Sequence, residues 1–331
     1  MSALRWLKVI ASVGGSRSSS SAFESTIWRN GGMTMVRCLI TLLAIWPLLQ
    51  TSVATAQIEG AIDLHVHSAP DSVPRALTAI ETAQTARRHG MRAVMYKNHF
   101  VETASLAYLV SQVVPEVGAY GGIVLNRSVG GINVEAVERM AAMTGGHGRI
   151  VWMPTVDAAQ GPFAAAVEAA DILPVAANGE LLPAVIAVLK TIAALDLALA
   201  TGHSSPQDSL LLVRAARDLG IDRIVITHPL GDLSLPETIQ QEVIALGALL
   251  ELPFGMVEPI GSTSLDELVT RIRSAGAEHV VLSTDLGQPG NPVPAAGFAS
   301  GIQRLLDGGV TQREIDLMIR RNPARILNLD P

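Results

Sequence analysis

The chain has 331 residues, a formal net charge of -6, 49% hydrophobic residues and 16% charged residues. This composition provides enough apolar material for a core and argues against an extensively disordered chain. The mild acidity, without a cluster of Lys and Arg, excludes a nucleic-acid-binding surface, because neutralising phosphates requires such clusters. The length allows two domains or one large one.

The N-terminal region differs from the remainder of the chain. Residues 1–32 contain the run SRSSSS and no sustained helical or strand periodicity, which is typical of a disordered leader. A short basic region with Arg37 then precedes the apolar run LITLLAIWPLL, and the small residues Ala54 and Ala56 follow it. This order predicts a secretory signal peptide that is removed close to Gln57.

Removal of a signal peptide predicts a periplasmic or secreted protein. The alternative is an uncleaved N-terminal anchor, but the apolar run is shorter than the ~20 residues that span a bilayer. The single cysteine, Cys38, lies inside the predicted signal, so the mature chain would carry no thiol, as suits an oxidising compartment. We therefore predict a leader and signal peptide over residues 1–56 and one folded domain over residues 57–331, without a stable membrane span after cleavage.

From Ile58 onward, short apolar runs alternate with segments that have apolar residues at helical spacing, a pattern typical of parallel strands joined by helices. The first run, GAIDLHVH, ends at His67, and the Ala-rich helix after it stops at Gly90, the usual glycine just past a helix end. The second run, RAVMYK, ends at Lys97, and the third, AYGGIVLN, ends at Asn126.

The second half of the chain continues this pattern. The fourth run, RIVWMPTVD, ends near Asp157 and precedes an irregular stretch and a predicted helix, GELLPAVIAVLKTIAALD. The fifth run, LALATGH, ends at His203, and serines followed by Pro206 open the next helix. The last three runs are RIVITH, which ends at His228, ALLELPF, and HVVLSTD, which ends at Asp285. Eight alternations predict a single (β/α)8 TIM-like barrel, since no GxGxxG or GxxxxGK[ST] motif indicates an open nucleotide-binding sheet.

Metal-binding side chains fall at the C-terminal ends of the predicted strands, the face on which barrel proteins build active sites. His65 and His67 are two residues apart in the first strand, so both side chains project to one side and can bind one ion. A His-x-His pair taken alone also occurs as surface decoration. The position of the pair at a strand end favours metal binding over surface decoration, because imidazole is the commonest metal ligand.

Three further residues extend this pattern. His203 and His228 each end an apolar run, although a single histidine in that position is more often a hydrogen-bonded structural residue. Asp285 follows the eighth run, where a carboxylate can bind a divalent cation and accept a proton, or can cap a turn. Together these residues predict a His/His/His/Asp metal site, in which His65, His67, His203 and Asp285 share one ion.

Four segments, IDLHVHSAPD, ATGHSSP, VITHP and VLSTDLG, resemble the strand-one, strand-five, strand-six and strand-eight motifs of the amidohydrolase superfamily, and MIRRNPARILNL resembles its final helix. The resemblance extends from about Ile58 to Leu329 and implies a metal-dependent hydrolase on a (β/α)8 barrel. It implies that His228 binds a second metal or the substrate and that Asp285 is both ligand and proton shuttle, which makes these two the predicted catalytic residues. The metal ligands that it implies are His65, His67, His203, His228 and Asp285.

The fourth strand departs from the superfamily pattern. Two-metal members use a bridging carboxylate there, often a carboxylated lysine or a glutamate, whereas this chain has PTVDA. Lys97 is the predicted replacement, either as a carboxylated bridging ligand or as an ammonium that binds an anionic substrate. A lysine whose ammonium simply reaches solvent at the barrel rim is the alternative, and His99 is a weaker candidate. The site therefore accommodates one or two metal ions.

The resemblance implies hydrolysis of an amide, lactone or ester bond in a small-molecule substrate. A divalent cation held by neutral imidazoles activates water near neutral pH, and Asp285 takes the proton and returns it to the leaving group. His228 or the cation stabilises the oxyanion. Zinc is the expected ion, with Mn, Fe and Ni as alternatives.

Three other functions fit part of the pattern. A phosphoesterase of the polymerase-and-histidinol-phosphatase type also begins with a DLHxHS-like strand, but it would carry Asp-x-His where this chain has Asp285 followed by Leu286 and Gly287. A decarboxylase can use a similar one-metal site, and a periplasmic binding protein can keep the metal without turnover. The loops LNRSVGGIN and GQPGNPVPAAG are the predicted walls of the pocket.

Overall fold

The computed structural model describes residues 57–330, so the predicted leader and signal peptide lie outside the described residues. The strands are β1 (Ile62–Val66), β2 (Ala93–Tyr96), β3 (Gly118–Val124), β4 (Gly148–Trp152), β5 (Ala176–Ala177), β6 (Glu180–Leu181), β7 (Ala198–Ala200), β8 (Ile224–Ile226), β9 (Leu249–Pro253) and β10 (Val280–Ser283). Eight of them form one parallel sheet in the order β1-β2-β3-β4-β7-β8-β9-β10. The remaining two, β5 and β6, pair as a separate antiparallel hairpin.

Helices connect the parallel strands, as parallel pairing requires a crossover between one strand and the next. They are α1 (Ala79–Arg88), α2 (Ala104–Val113), α3 (Val134–Ala141), α4 (Pro183–Ala194), α5 (Pro206–Asp218), α6 (Glu237–Ala245), α7 (Leu265–Ala275), α8 (Pro294–Asp307), α9 (Gln312–Asp316) and α10 (Asn322–Ile326). No helix within residues 57–330 combines the length and apolar character needed to cross a membrane.

Backbone hydrogen bonds join the two ends of the sheet. The amide of Asp285, just after β10, donates to the carbonyl of His65 in β1 at 2.8 Å, and the amide of His67 donates to the carbonyl of Leu286 at 2.8 Å. The buried Asp63 carboxylate strengthens the same junction by accepting from the Thr284 amide at 3.0 Å and from the Thr284 hydroxyl at 2.6 Å. These bonds confirm the predicted (β/α)8 TIM-like barrel.

Apolar side chains from all eight parallel strands fill the barrel. Residues of the C-terminal helix α10, including Ala324 and Ile326, pack against this core. The segment MIRRNPARILNL contains α10, which follows a π-helical turn over Leu317–Arg321. The proline at position 323 lacks the amide that would continue a regular helix, which accounts for the change of helix type.

Two local predictions need correction. The helix predicted from Gly179 begins instead at Pro183, because Asn178 and Gly179 adopt φ values of 53° and 81° and turn the chain between β5 and β6. Asn-Gly is the preferred pair for such a two-residue hairpin turn. The second predicted loop is also shorter, because its last residues, PAAG, form the first turn of α8 with Pro294 in the favoured first position.

Candidate metal centre

The site lies at the C-terminal end of the barrel, where the core gives way to polar side chains. Alternation along a strand places residues two apart on one face, so Lys97, Glu251 and Asp285 continue the inward-facing rows of Met95, Leu249 and Val281. In β1, the pairing with β2 is irregular between Asp63 and Val66. Such an irregularity changes the direction in which side chains point. Leu64 can therefore face the core although the next residue, His65, lies in the site.

Three of the predicted ligands converge. His65, His67 and Asp285 each offer one ligand atom, and these atoms all lie within 4.8 Å of one another. Asp285 Oδ1 is 3.0 Å from His65 Nε2 and 3.0 Å from His67 Nε2. The histidines are buried, and the Asp285 side chain, which is 21% exposed, lies toward the open end.

Glu251 supports this group, and the sequence reasoning assigned it no role. Its Oε1 atom lies 2.7 Å from His65 Nδ1 and accepts a hydrogen bond from the Ser283 hydroxyl at 2.8 Å. Because an ionised carboxylate only accepts, Nδ1 must donate to Glu251, and Nε2 carries a second proton toward Asp285 until a cation displaces it. A charged residue in the middle of the apolar run ALLELPF was the signal that could have identified it.

His203 and His228 lie beside the three-ligand group but do not belong to it. The His228 ring centroid is 5.9 Å from that of His65 and 4.9 Å from that of His203. Both Nδ1 atoms are buried and have no hydrogen-bond partner in the described part of the chain. Gly161 makes room for His203, since a Cβ atom there would lie 2.8 Å from its Nδ1. Their assignment as metal ligands stays a prediction.

Lys97 is buried at the centre of the site. Its Nζ atom lies 3.1 Å from His65 Nε2 and 5.6 Å from the centroid of the Trp152 ring. This position contradicts the alternative of a lysine that simply reaches solvent at the rim, because the side chain is only 2% exposed. Burial lowers the pKa of Lys97, and the carboxylates of Asp285 and Glu251 oppose that shift. Carboxylation of Lys97 stays a prediction.

The weaker candidate, His99, also lies in the site. Its ring centroid is 5.0 Å from that of His67, and its Nδ1 is 2.8 Å from the hydroxyl of Thr155. The Asn126 side chain fixes this arrangement by donating to the His99 carbonyl and to the Thr155 hydroxyl, both at 2.9 Å. The end of the fourth strand thus contributes a hydroxyl that holds a histidine.

The ionisable groups of the site differ widely in pKa. Burial lowers the pKa of His67 to about 3 and that of His228 to about 4, so both are neutral at pH 7. Burial alone would lower the pKa of His65, but Asp285 and Glu251 raise it to about 9. Burial would raise the pKa of Asp285, but His65 and His67 hold it well below its usual range. Without a metal, His65 is therefore an imidazolium between two carboxylates.

The backbone is strained at two of these positions. Asp285 has a φ of 51° and His228 a φ of 25°. Non-glycine residues in this region cost about 1–2 kcal/mol each, and they concentrate at functional sites. The strain at Asp285 is held by the hydrogen bonds that join β10 to β1.

The donor set fits a divalent transition metal. Two imidazole nitrogens and a carboxylate oxygen suit zinc and its neighbours. The convergence of His65 Nε2, His67 Nε2 and Asp285 Oδ1 leaves room for one ion to replace the protons that now join them. The neighbouring rings of His203 and His228 each have a buried Nδ1 atom without a partner in the described part of the chain.

Solved structures share the fold at low sequence identity. The probable dipeptidase PvdM from Pseudomonas aeruginosa superposes with a TM-score of 0.60 at 10% identity, covering 85% of this chain and 97% of that one. An amidohydrolase from Pseudomonas aeruginosa gives 0.53 at 9% identity, with 84% and 98% covered. An organophosphate hydrolase engineered from a weak promiscuous lactonase template gives 0.54 at 17% identity, with 82% and 97% covered.

Sequence comparison places the chain in a family. No curated protein matches the sequence. Residues 60–251, more than half of the chain, match a family of unknown function, DUF6282. The chain therefore belongs to the DUF6282 family, and it shares its TIM-barrel fold with these amidohydrolase, dipeptidase and organophosphate hydrolase structures.

Proposed function

We propose that the chain is a metal-dependent hydrolase of the amidohydrolase kind, which cleaves an amide, lactone or ester bond in a small molecule. The observation that carries this proposal is the convergence of His65, His67 and Asp285 at the C-terminal end of a closed barrel. The similar structures include a probable dipeptidase, an amidohydrolase and an organophosphate hydrolase engineered from a lactonase template. The dipeptidase and the lactonase template support a carbonyl substrate.

His65, His67 and Asp285 would hold the first ion, with His203 and His228 as further ligands, and zinc is the proposed ion. When bound, a divalent cation supplies Lewis acidity and makes water a nucleophile near neutral pH. Lys97 and His228 lie where a second ion or the substrate would bind. One or two ions per chain are compatible with these positions.

Asp285 is the proposed proton shuttle. Its pKa lies well below the usual range, so it starts as a carboxylate and can accept a proton from the attacking water. Its Oδ1 atom faces the two imidazoles, which leaves Oδ2 to receive that proton and pass it to the leaving group. The partial exposure of this side chain gives a substrate access to it.

His228 is the proposed oxyanion-stabilising or substrate-binding residue. It is buried next to His65 and His203, and its strained backbone is held by the hydrogen bond from the Leu230 amide to the His228 carbonyl at 2.7 Å. A rigid imidazole beside the reacting carbonyl can stabilise developing negative charge without reorganising.

Export to the periplasm or the medium, after cleavage near Gln57, is the proposed location. The support is the order of basic, apolar and small residues before position 57. N-terminal sequencing of the protein recovered from each cell fraction tests it. A chain in the cytoplasm that retains residues 1–56 would contradict the proposal.

The test of function combines metal analysis with a hydrolysis screen. The purified chain should contain one or two divalent ions, and it should hydrolyse members of a panel of lactones, esters and dipeptides. Asp285→Asn should lower kcat by at least about 100-fold, since general acid–base catalysis contributes that much. Asp307→Asn, a surface change on α8, is the matched control.

The other outcomes of the screen identify the alternatives. Release of phosphate from phosphomonoesters would indicate a phosphoesterase, and release of carbon dioxide without incorporation of water would indicate a decarboxylase. A metal-loaded chain that binds ligands without converting any of them would indicate a binding protein. Each of these results overturns the proposal that the chain hydrolyses an amide, lactone or ester bond.

A further inference from the structure

Arg75 is a buried cation in the segment that joins β1 to α1. Its side chain is 6% exposed, and its Nε donates to Asp71 Oδ2 at 2.7 Å. Within residues 57–330, this is the one hydrogen bond of the guanidinium group. A guanidinium carries five N–H donors, and buried donors need partners. Four N–H groups therefore remain for water or a ligand.

The surrounding loop holds this guanidinium in place. The Asp71 side chain is fully buried, and its other oxygen accepts from the Val73 amide at 3.4 Å. The amide of the next residue, Ala76, donates to the carbonyl of Gly287 at 2.8 Å, which ties the loop to the segment that follows Asp285. Arg75 is thus preorganised, so little side-chain entropy would be lost on binding an anion.

The loop that carries Arg75 packs against the candidate metal centre. The Ala76 amide donates to the carbonyl of Gly287, two residues after Asp285. A Cβ atom at Gly287 would lie 1.9 Å from the carbonyl oxygen of His67, so the same segment also contacts the end of β1. The charge of Arg75 acts in the direction that this position requires, because it lowers the pKa of His67, Lys97 and His99, after the larger effect of burial on each. The loop therefore brings Arg75 to the end of the barrel that holds the candidate ligands.

We propose that Arg75 binds a carboxylate of the substrate, through the Nη edge that Asp71 leaves free. A guanidinium fork matches the two oxygens of a carboxylate. A dianionic phosphate fits less well, because the Asp71 carboxylate already neutralises part of the Arg75 charge. This inference rests on the proposed function and narrows the substrates to amides, lactones or esters that bear a carboxylate.

Ligand binding tests the inference independently of turnover. The full chain, stripped of metal with a chelator, is titrated calorimetrically with glutarate, its neutral diamide and inorganic phosphate. We expect glutarate to bind more tightly than the diamide, and Arg75→Gln to weaken glutarate binding by at least about tenfold, since hydrogen bonds to charged groups are worth that much. Arg87→Gln, an exposed arginine on α1, should change nothing.

A second variant covers the case in which Arg75→Gln does not fold. Arg75→Lys keeps the charge but loses the fork, so we expect an intermediate loss of glutarate affinity and an unchanged diamide affinity. Equal binding of glutarate and the diamide, binding of phosphate in preference to glutarate, or absence of binding by all three probes would each overturn the inference.

Kinetics then separate this inference from the proposed function. For a hydrolysed ester that carries a distal carboxylate, Arg75→Gln should raise KM, and it should leave the KM of the corresponding neutral ester unchanged. Equal effects on both esters would assign Arg75 a structural role while the hydrolase proposal stands. If the chain binds glutarate through Arg75 but hydrolyses nothing, the anion site is supported and the proposed hydrolase function is contradicted.

Discussion

At the scale of single residues, the site consists of candidate metal ligands and the groups that orient them. His65 contacts one group of each kind: its Nε2 faces the candidate ligand Asp285, and its Nδ1 faces the orienting residue Glu251. Partners of this kind fix the tautomer and the ring orientation of a ligand histidine. Glu251 is itself held by Ser283, so the orientation of one ligand depends on two other strands of the barrel.

The first prediction concerns Glu251. Glu251→Gln should lower the affinity for zinc by about 10–100-fold, because a neutral amide orients His65 less firmly than a carboxylate. Competition with a chromophoric chelator measures this affinity. Glu242→Gln, an exposed change on α6, is the control. An unchanged zinc affinity in Glu251→Gln would show that Glu251 does not support the ligand.

The second prediction concerns pH. His65 has its pKa raised to about 9, so in the metal-free protein it keeps its proton at pH 7, whereas His67 is already neutral. Protonated His65 stabilises the metal-free fold, and this contribution is fully present below pH 6.5, the ordinary pKa of histidine. The contribution is lost as the pH rises through 9, the raised pKa of His65. A metal must displace the proton, so zinc affinity should increase between pH 6.5 and pH 9.

Calorimetry in two buffers of different ionisation enthalpy measures the proton that zinc displaces. Release of about one proton from the protein is expected at pH 7, and Glu251→Gln should reduce it because His65 then loses part of its stabilising charge. Zinc binding that is independent of pH would contradict the assignment of His65 as an imidazolium in the metal-free state.

At the scale of elements, the junction between β10 and β1 closes the barrel and also positions the candidate ligands. The same backbone bonds that join the strands set the separation of His65, His67 and Asp285. Gly287 lies directly after this junction with a φ of 132°, and a Cβ atom there would be 1.9 Å from the His67 carbonyl oxygen. The sheet therefore cannot close in this way with a larger residue at position 287.

The third prediction uses this glycine. Gly287→Ala should lower the unfolding temperature and abolish zinc binding, because the backbone must separate where the ligands meet. Gly290→Ala is a matched control: its φ is 90°, but nothing lies within 4 Å of a Cβ atom there. The control should lose about 1–2 kcal/mol of stability and keep the metal. Equal effects of the two changes, measured by thermal denaturation and metal analysis, would contradict the role of the close contact.

At the scale of the whole molecule, the proposed metal links the beginning of the barrel to its end. His67 and Asp285 lie 218 residues apart in the chain and meet at one position. An ion held by both would bind the closed barrel and not the unfolded chain. Metal binding and folding should therefore be coupled.

The fourth prediction follows from this coupling. Zinc at 100 times its dissociation constant should stabilise the fold by about 2.7 kcal/mol, and a chelator should reverse the effect. Calorimetric unfolding with and without zinc measures it. Asp285→Asn should abolish the stabilisation, whereas Asp307→Asn should not. Zinc that binds without raising the unfolding temperature would show that the ion does not join the two ends of the barrel.

Local sequence patterns were enough to predict the barrel and the strand ends that carry the candidate ligands. Periodicity of apolar residues reports which face of a strand or helix is buried, and that is a local property, so the eight runs and the positions of His65, His203 and His228 followed from it. The hairpin turn at Asn178-Gly179 also has a local sequence signal. It was missed because the apolar residues that follow it continue a helical pattern.

Which side chains meet in the site depends on how the strands pack around the barrel. The pairing of His65 with Glu251, the burial of Lys97 and Arg75, and the exclusion of His203 from the three-ligand group depend on distances across the barrel. Such distances follow from barrel closure and from one irregularity in β1, which no local pattern of residues reports. The burial of Arg75 likewise depends on tertiary structure, because its loop near the start of the described chain is bonded to Gly287 near the end.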